Sequence, residues 1–242
     1  MKTSLAEQLV ADFWERVGYQ EGFPRQLEQS IMVTVPVHVV KVHGCLNTSF
    51  IRDRLRRRGI ALPTPWKERK MHGCLVAFKD DAAIFVDGTL SPDDWRVIIA
   101  HEFGHYLADF EYPRRRALRY LGNSIAEVLD GDRPPSQNEI FAAVLTNVQV
   151  GVFVHYMDRS ENSRMLVREV EDTASIVGAE LLAPCQAVFE AMARQKVEAQ
   201  PKTITKLLEA FFGLPSDYAE WHAERLARVL RRHRSFCQVL GI

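Results

Sequence analysis

The sequence predicts an α+β protein, with a small β-sheet packed on one central helix and a mainly helical C-terminal half. Three observations carry this expectation. Strand patterning is confined to the chain before Ser91, where Val33 to Val42 is rich in β-branched residues and Met71 to Phe78 and Ala82 to Val86 flank Lys79-Asp80-Asp81 as a hairpin. From Trp95 the apolar residues switch to helical spacing, with Ile98, Ile99, Phe103 and Leu107 on one side of a single helix. Beyond Tyr112 the pattern is helical throughout.

Taken in order, Leu5, Leu9, Phe13 and Val17 make a first amphipathic helix, and a short second one is expected after Gly22-Phe23-Pro24. Pro36 has no N–H to give to a ladder, so Val33 to Val42 is expected at the edge of the sheet. Phe50 to Arg58 reads as a basic helix stopped by Gly59, and residues 60 to 69 as a proline-containing loop. The hairpin that follows should present an edge to which an extended peptide can add as a further strand. Ser91 is placed to cap the central helix, Pro92 fits its first position and Asp94 stands as the capping acid, so the helix should run through Ala108. Later helices are expected at roughly 114 to 129, 138 to 157, 164 to 182, 185 to 196, 203 to 212 and 217 to 233, with Asp130 to Ser136 as a linker.

A chain of 242 residues with 47% hydrophobic content can bury a substantial core, in one domain or two closely packed ones. Its formal net charge of zero argues against wholesale binding to nucleic acid or anionic membrane. Glu7 and Asp12 interrupt any apolar signal segment at the N-terminus, and the longest apolar stretch, Ile140 to Tyr156, carries Asn147 and Gln149 and is short for a bilayer. No membrane association and a cytoplasmic location are therefore expected. The cysteines form no Cys-x-x-Cys pair, which points to reduced thiols.

Residues 101 to 105 of the central helix read His-Glu-Phe-Gly-His. Histidines at this spacing share one helix face, so both imidazoles can reach one metal ion. Glu102 then stands beside that metal, and in a zinc hydrolase the glutamate after the first ligand takes a proton from the attacking water instead of binding metal. Such a site needs a third protein ligand and keeps its fourth position open. His155 is one candidate. The helix expected from Arg164 to Leu182 offers others, built on a core stripe of Leu166, Val170, Ala174, Val177 and Leu181. Glu171 sits one position round from that stripe, beside Ala174, Ser175 and Gly178, whose small side chains let another helix approach. It ranks first as third ligand, with Glu169 and Asp172 in reserve; Glu180, like Glu169, is read onto a more polar face. Two imidazoles and a carboxylate also describe a non-haem iron site, but the adjacent Glu102 favours hydrolysis.

Trp95-Arg96 with Ile99-Ala100-His101-Glu102-Phe103-Gly104-His105, and later Glu171, Ala174 and Ala179-Glu180-Leu181-Leu182-Ala183-Pro184, resemble the ImmA/IrrE family of metallopeptidases. That family shows an arginine before an Ala-His-Glu-x-Gly-His core and a later Glu-x-x-Ala-Asn-x-Phe-Ala-x-x-Leu-Leu-Met-Pro segment. Counting back from Pro184 places the family's metal-binding glutamate on Glu171. Leu207 to Leu226, with Phe211-Phe212-Gly213-Leu214-Pro215 and Arg225-Leu226, is similar to the family's closing helix-turn-helix-like pair. The chain departs from the pattern at Ser175 (usually Asn), Val177 (Phe) and Ala183 (Met), and in a longer stretch from about Phe110 to Ser163.

The resemblance implies a zincin-like metallopeptidase domain over residues 1 to 184, with a helical insertion at about 110 to 163, and a C-terminal helical region over 185 to 242. It implies Zn2+, with Mn2+ as the alternative, held by His101, His105 and Glu171 with Glu102 as base. It further implies an endopeptidase whose substrate is a helix-turn-helix transcriptional repressor, acting in stress response or mobile-element regulation. The rival reading is a non-proteolytic metal-binding regulator that acts through a partner protein or DNA, but such a protein has no need of Glu102.

Peptide hydrolysis also needs a donor for the oxyanion, and Tyr106, His155 and Tyr156 are available. The tetrapeptide His-Gly-Cys-Leu occurs twice, so His43, Cys45, His72 and Cys74 would supply a second, structural zinc site if their strands paired. Of three arginine-rich stretches, Arg52 to Arg58, Arg114 to Arg119 and Arg225 to Arg234, the last is read as the solvated face of a helix whose apolar side is Leu226, Val229 and Leu230, with direct DNA binding the lesser alternative.

Overall fold

A computed structural model describes residues 4–19, 21–60, 67–146, 148, 153–156, 165–196 and 198–240, and side chains within these except at 142–146, 156, 165–169 and 232–240. It is an α+β fold built on a four-stranded mixed sheet of order β1-β3-β2-β4. Helix α1 (Leu5–Val17) opens with a capping box between Ser4 and Glu7 and ends at Gly18, whose φ of 77° closes the last turn. Helix α2 (Leu27–Thr34) reaches further than expected, so strand β1 (Val37–Val42) begins only after Pro36. Proline is thereby spared a ladder position, and its carbonyl accepts from Ala82 N instead.

Helix α3 (Thr48–Arg57) is capped by Asn47, whose side chain accepts from Phe50 N. Strands β2 (Gly73–Phe78) and β3 (Asp81–Asp87) form the expected antiparallel hairpin, and β1 lies parallel to β3. The last strand is a correction. Strand β4 (Phe153–Tyr156) pairs antiparallel with β2, with Leu75 opposite His155, where the sequence suggested the end of a helix over 138 to 157. A short apolar run has no period that separates strand from helix, and pairing decides. A second correction follows: β1 and β4 occupy both outer edges of the hairpin, which leaves it no edge for an added peptide.

Alternation along the strands gives the sheet two covered faces. Leu75, Ala77, Ile84 and Val86 pack toward Ile98, Ile99 and Phe103 of helix α4 (Pro92–His105), whereas Cys74 and Val76 pack toward Ile51 and Leu55 of α3. Helix α4 starts as expected, with Ser91 accepting from Asp94 N. After His105 the backbone widens into a π-turn (Tyr106–Glu111) and then continues as α5 (Tyr112–Leu121). Gly122 breaks the next stretch, so the helix expected to Leu129 is a short 3-10 turn (Asn123–Ile125) and α6 (Ala126–Leu129). Helix α7 (Gln137–Thr146) follows.

Helices α8 (Met165–Leu182), α9 (Cys185–Gln195), α10 (Pro201–Phe212) and α11 (Ser216–Leu240) complete the chain. Within the stripe expected on α8, Ala174, Val177 and Leu181 are buried, but Val170 is 37% exposed, and the side chain of Leu166 lies outside the described set. The last two helices meet at Gly213-Leu214-Pro215 as the expected pair, and Leu208, Phe212 and Leu226 belong to the same core as α1, α4 and α8. Two cations, buried Arg96 and part-buried Arg225, tie this end to the rest. Arg96 on α4 donates to the Gly213 carbonyl, and Arg225 on α11 pairs with Glu180 on α8 at 3.0 Å. Arg225, expected on a solvated face, is therefore an internal tie. Among the described residues no single helix is long and apolar enough to cross a membrane.

Candidate metal centre

The centre is made where α4 and α8 cross. Their approach depends on residues without side chains: a Cβ on Gly104 would lie 2.5 Å from the Ala174 carbonyl oxygen, and one on Gly178 would lie 3.1 Å from the Ala100 backbone. Backbones this close let a carboxylate on α8 reach imidazoles on α4. Glu171 Oε2 lies 3.3 Å from His101 Nε2 and 3.8 Å from His105 Nε2, and the two Nε2 atoms are 3.2 Å apart. Donors about 2.0 to 2.1 Å from a tetrahedral zinc ion sit about 3.3 Å from one another, so the spacing of these three atoms fits such an ion. Among the described residues this is the one group of three or more His, Cys, Asp or Glu side chains able to hold a metal. Asp172 is exposed and outside it, and the Glu169 side chain lies outside the described set.

Each histidine is held from behind. His105 Nδ1 is 2.7 Å from Asp109 Oδ2, one turn along in the π-turn, and His101 Nδ1 is 3.3 Å from Ser175 Oγ on α8. The Tyr218 hydroxyl donates to the Ser175 carbonyl and ties α11 to this support. Ser175, one of the departures from the family pattern, thus stands directly against His101. Asp109 was not singled out from the sequence, and Ser175 was noted only as a small residue and a departure from the family pattern, although each lies four residues from a proposed ligand and so on its helix face.

Glu102 differs from the other acids of the chain. It is 0% exposed, and among the described residues neither carboxylate oxygen has a hydrogen-bond partner. Gly73 on β2 makes its space, since a Cβ there would lie 2.7 Å from Glu102 Oε1. A buried carboxylate that accepts no hydrogen bond is costly unless a charge or another group faces it.

Strand β4 brings His155 to the same place. Its ring stacks on His105 with centroids 3.4 Å apart, its Nε2 is 3.2 Å from Glu171 Oε1, and its Nδ1 is 3.8 Å from Glu102 Oε2. Burial works to lower the His155 pKa, but the carboxylates of Glu102 and Glu171 more than offset it and hold it up at about 9. Burial works to raise Glu171, while His101, His105 and His155 drive it well below the usual carboxylate range.

The other oxyanion candidates fall elsewhere. Tyr106 is stacked on Phe103 and packed near Phe110 in the core, and the Tyr156 side chain lies outside the described set. The second zinc site does not assemble. β1 and β2 each pair with β3 and not with one another, Cys74 is buried with its thiol donating to the Leu75 carbonyl, and Cys45 is exposed. Glu180 is likewise not on a polar face: it is 3% exposed, pairs with Arg225 and accepts from Cys185 N at the start of α9. No family model, curated protein or solved structure matches the chain.

Proposed function

We propose that the chain is a zinc-dependent endopeptidase that hydrolyses a peptide bond in a protein substrate. The observation that carries this reading is the fully buried Glu102 carboxylate, which accepts no hydrogen bond among the described residues and lies beside the converging donors of His101, His105 and Glu171. A binding site for metal alone gains nothing from such a group, whereas a hydrolase needs a base at that place. Two imidazoles and one carboxylate suit zinc or manganese, and a divalent ion there would act as a Lewis acid on the substrate carbonyl and ease deprotonation of water. Glu102 takes the proton of the water that attacks the peptide carbon, then passes it to the departing amine as the C–N bond breaks. His155, stacked on His105 and within 3.8 Å of both carboxylates, is the described side chain placed to donate to the oxyanion.

The resemblance of residues 96 to 105 and 171 to 184 to the ImmA/IrrE pattern supports membership of that family, with its zincin-like fold, and a helix-turn-helix repressor as the substrate. The test is Glu102→Gln beside wild type, assayed for cleavage of a helix-turn-helix repressor and for zinc binding. The variant should bind zinc as wild type does and lose at least about 100-fold in cleavage. Wild-type cleavage by the variant would exclude this mechanism.

A further inference from the structure

We propose that Asp109 is a positioning residue of the metal centre: it accepts the Nδ1–H of His105 and so selects the tautomer whose Nε2 lone pair points at His101 and Glu171. The proposal rests on the reading of those three side chains as metal ligands. A neutral imidazole carries its proton on either nitrogen, and which one depends on what the other faces. His105 is fully buried, so no bulk water makes the choice. The carboxylate at 2.7 Å makes it, because an ionised acid can only accept. In the other tautomer an N–H would point at His101 Nε2, 3.2 Å away, and a lone pair would face Asp109.

His101 has no equivalent device. Its Nδ1 faces the Ser175 hydroxyl at 3.3 Å, a longer contact with a group that can donate or accept and therefore selects nothing. The backbone supports the assignment. The π-turn Tyr106–Glu111 begins at the residue after His105 and carries Asp109, and such wide turns inside helices gather at functional sites. Asp109 should therefore set metal affinity chiefly through His105, and Ser175 should matter less.

Zinc affinity, measured by competition with a chelator, and histidine tautomers, read by proton–nitrogen correlation spectra of the metal-stripped protein, test this together. Wild type should show His105 as the Nδ1–H form. Asp109→Ala should give mixed forms and bind zinc about 10- to 100-fold more weakly, Asp109→Asn should fall between, and Ser175→Ala should lose less than Asp109→Ala. If Asp109→Ala fails to fold, the near-isosteric Asp109→Asn carries the test alone. A purely structural Asp109 would lower the melting temperature and leave affinity and tautomer unchanged, which overturns the proposal. Zinc loss in His105→Ala without loss in the Asp109 variants overturns the proposal alone, whereas a wild-type protein that takes up no zinc overturns the metal reading beneath it.

Discussion

Glu171 and Glu180 lie nine residues apart on α8, two and a half turns, and so face opposite ways. The first meets the histidines of α4; the second meets Arg225 and the N-terminus of α9. Their substitutions should separate cleanly. Glu171→Gln should weaken zinc binding by about 100-fold with little effect on the metal-stripped fold, as read by calorimetric titration. Glu180→Ala should leave zinc affinity unchanged and cost about 1 to 3 kcal/mol in denaturant unfolding, because it removes the buried acceptor of part-buried Arg225 and of Cys185 N. Sequence spacing was enough to bring His101 and His105 together with Glu102 beside them, since two positions four apart must share a helix face. It could also favour Glu171, because small neighbours mark a close crossing. The burial of Glu180 was illegible: its partner is 45 residues away. Tyr106 was offered as a donor by nearness in sequence alone, but one residue on from His105 is 100° round the helix, and there it meets Phe103.

At the scale of elements, the site depends on two contacts that admit only glycine. Gly104→Ala would drive a methyl group into the Ala174 carbonyl and push α4 off α8; we expect about 1 to 3 kcal/mol of destabilisation together with weaker zinc binding. Gly73→Ala acts on a side chain instead, meeting Ile98 Cγ2 at 2.5 Å and Glu102 Oε1 at 2.7 Å. It should displace the base and lower cleavage more than metal affinity, so that paired activity and zinc measurements distinguish the two glycines. Neither role was visible beforehand. Gly73 had drawn notice only within the repeated His-Gly-Cys-Leu, for its neighbours. Strand β4 was missed for a related reason: four residues are too few for a period, and the partner that makes them a strand, β2, is far away in the chain.

For the whole molecule, the C-terminal pair of helices is bound into the main core by buried polar contacts, and one of them should report on pH. His222 on α11 is buried with its Nε2 against the Ala183 carbonyl, and burial pushes its pKa down to about 4. The unfolded chain then binds a proton near pH 6.5 that the folded chain refuses until about pH 4. Stability from this residue is therefore complete above about pH 6.5 and is lost as pH falls through that window, by about 3 kcal/mol at 1.36 kcal/mol per unit. In metal-stripped protein, His222→Gln should flatten the stability profile between pH 6.5 and 4, whatever it does to stability at pH 7. An unchanged slope would mean that other groups govern acid unfolding.

The central claim is that α4 and α8 build one metal centre from His101, His105 and Glu171. Its most direct measurement is calorimetric titration of zinc into metal-stripped wild type, His105→Ala and Glu171→Gln at neutral pH. The account predicts one zinc ion per chain in wild type and a loss of about 100-fold or more in affinity in both variants, each with a folded circular dichroism spectrum. Wild type that takes up no zinc, or variants that bind it as tightly as wild type, would contradict it.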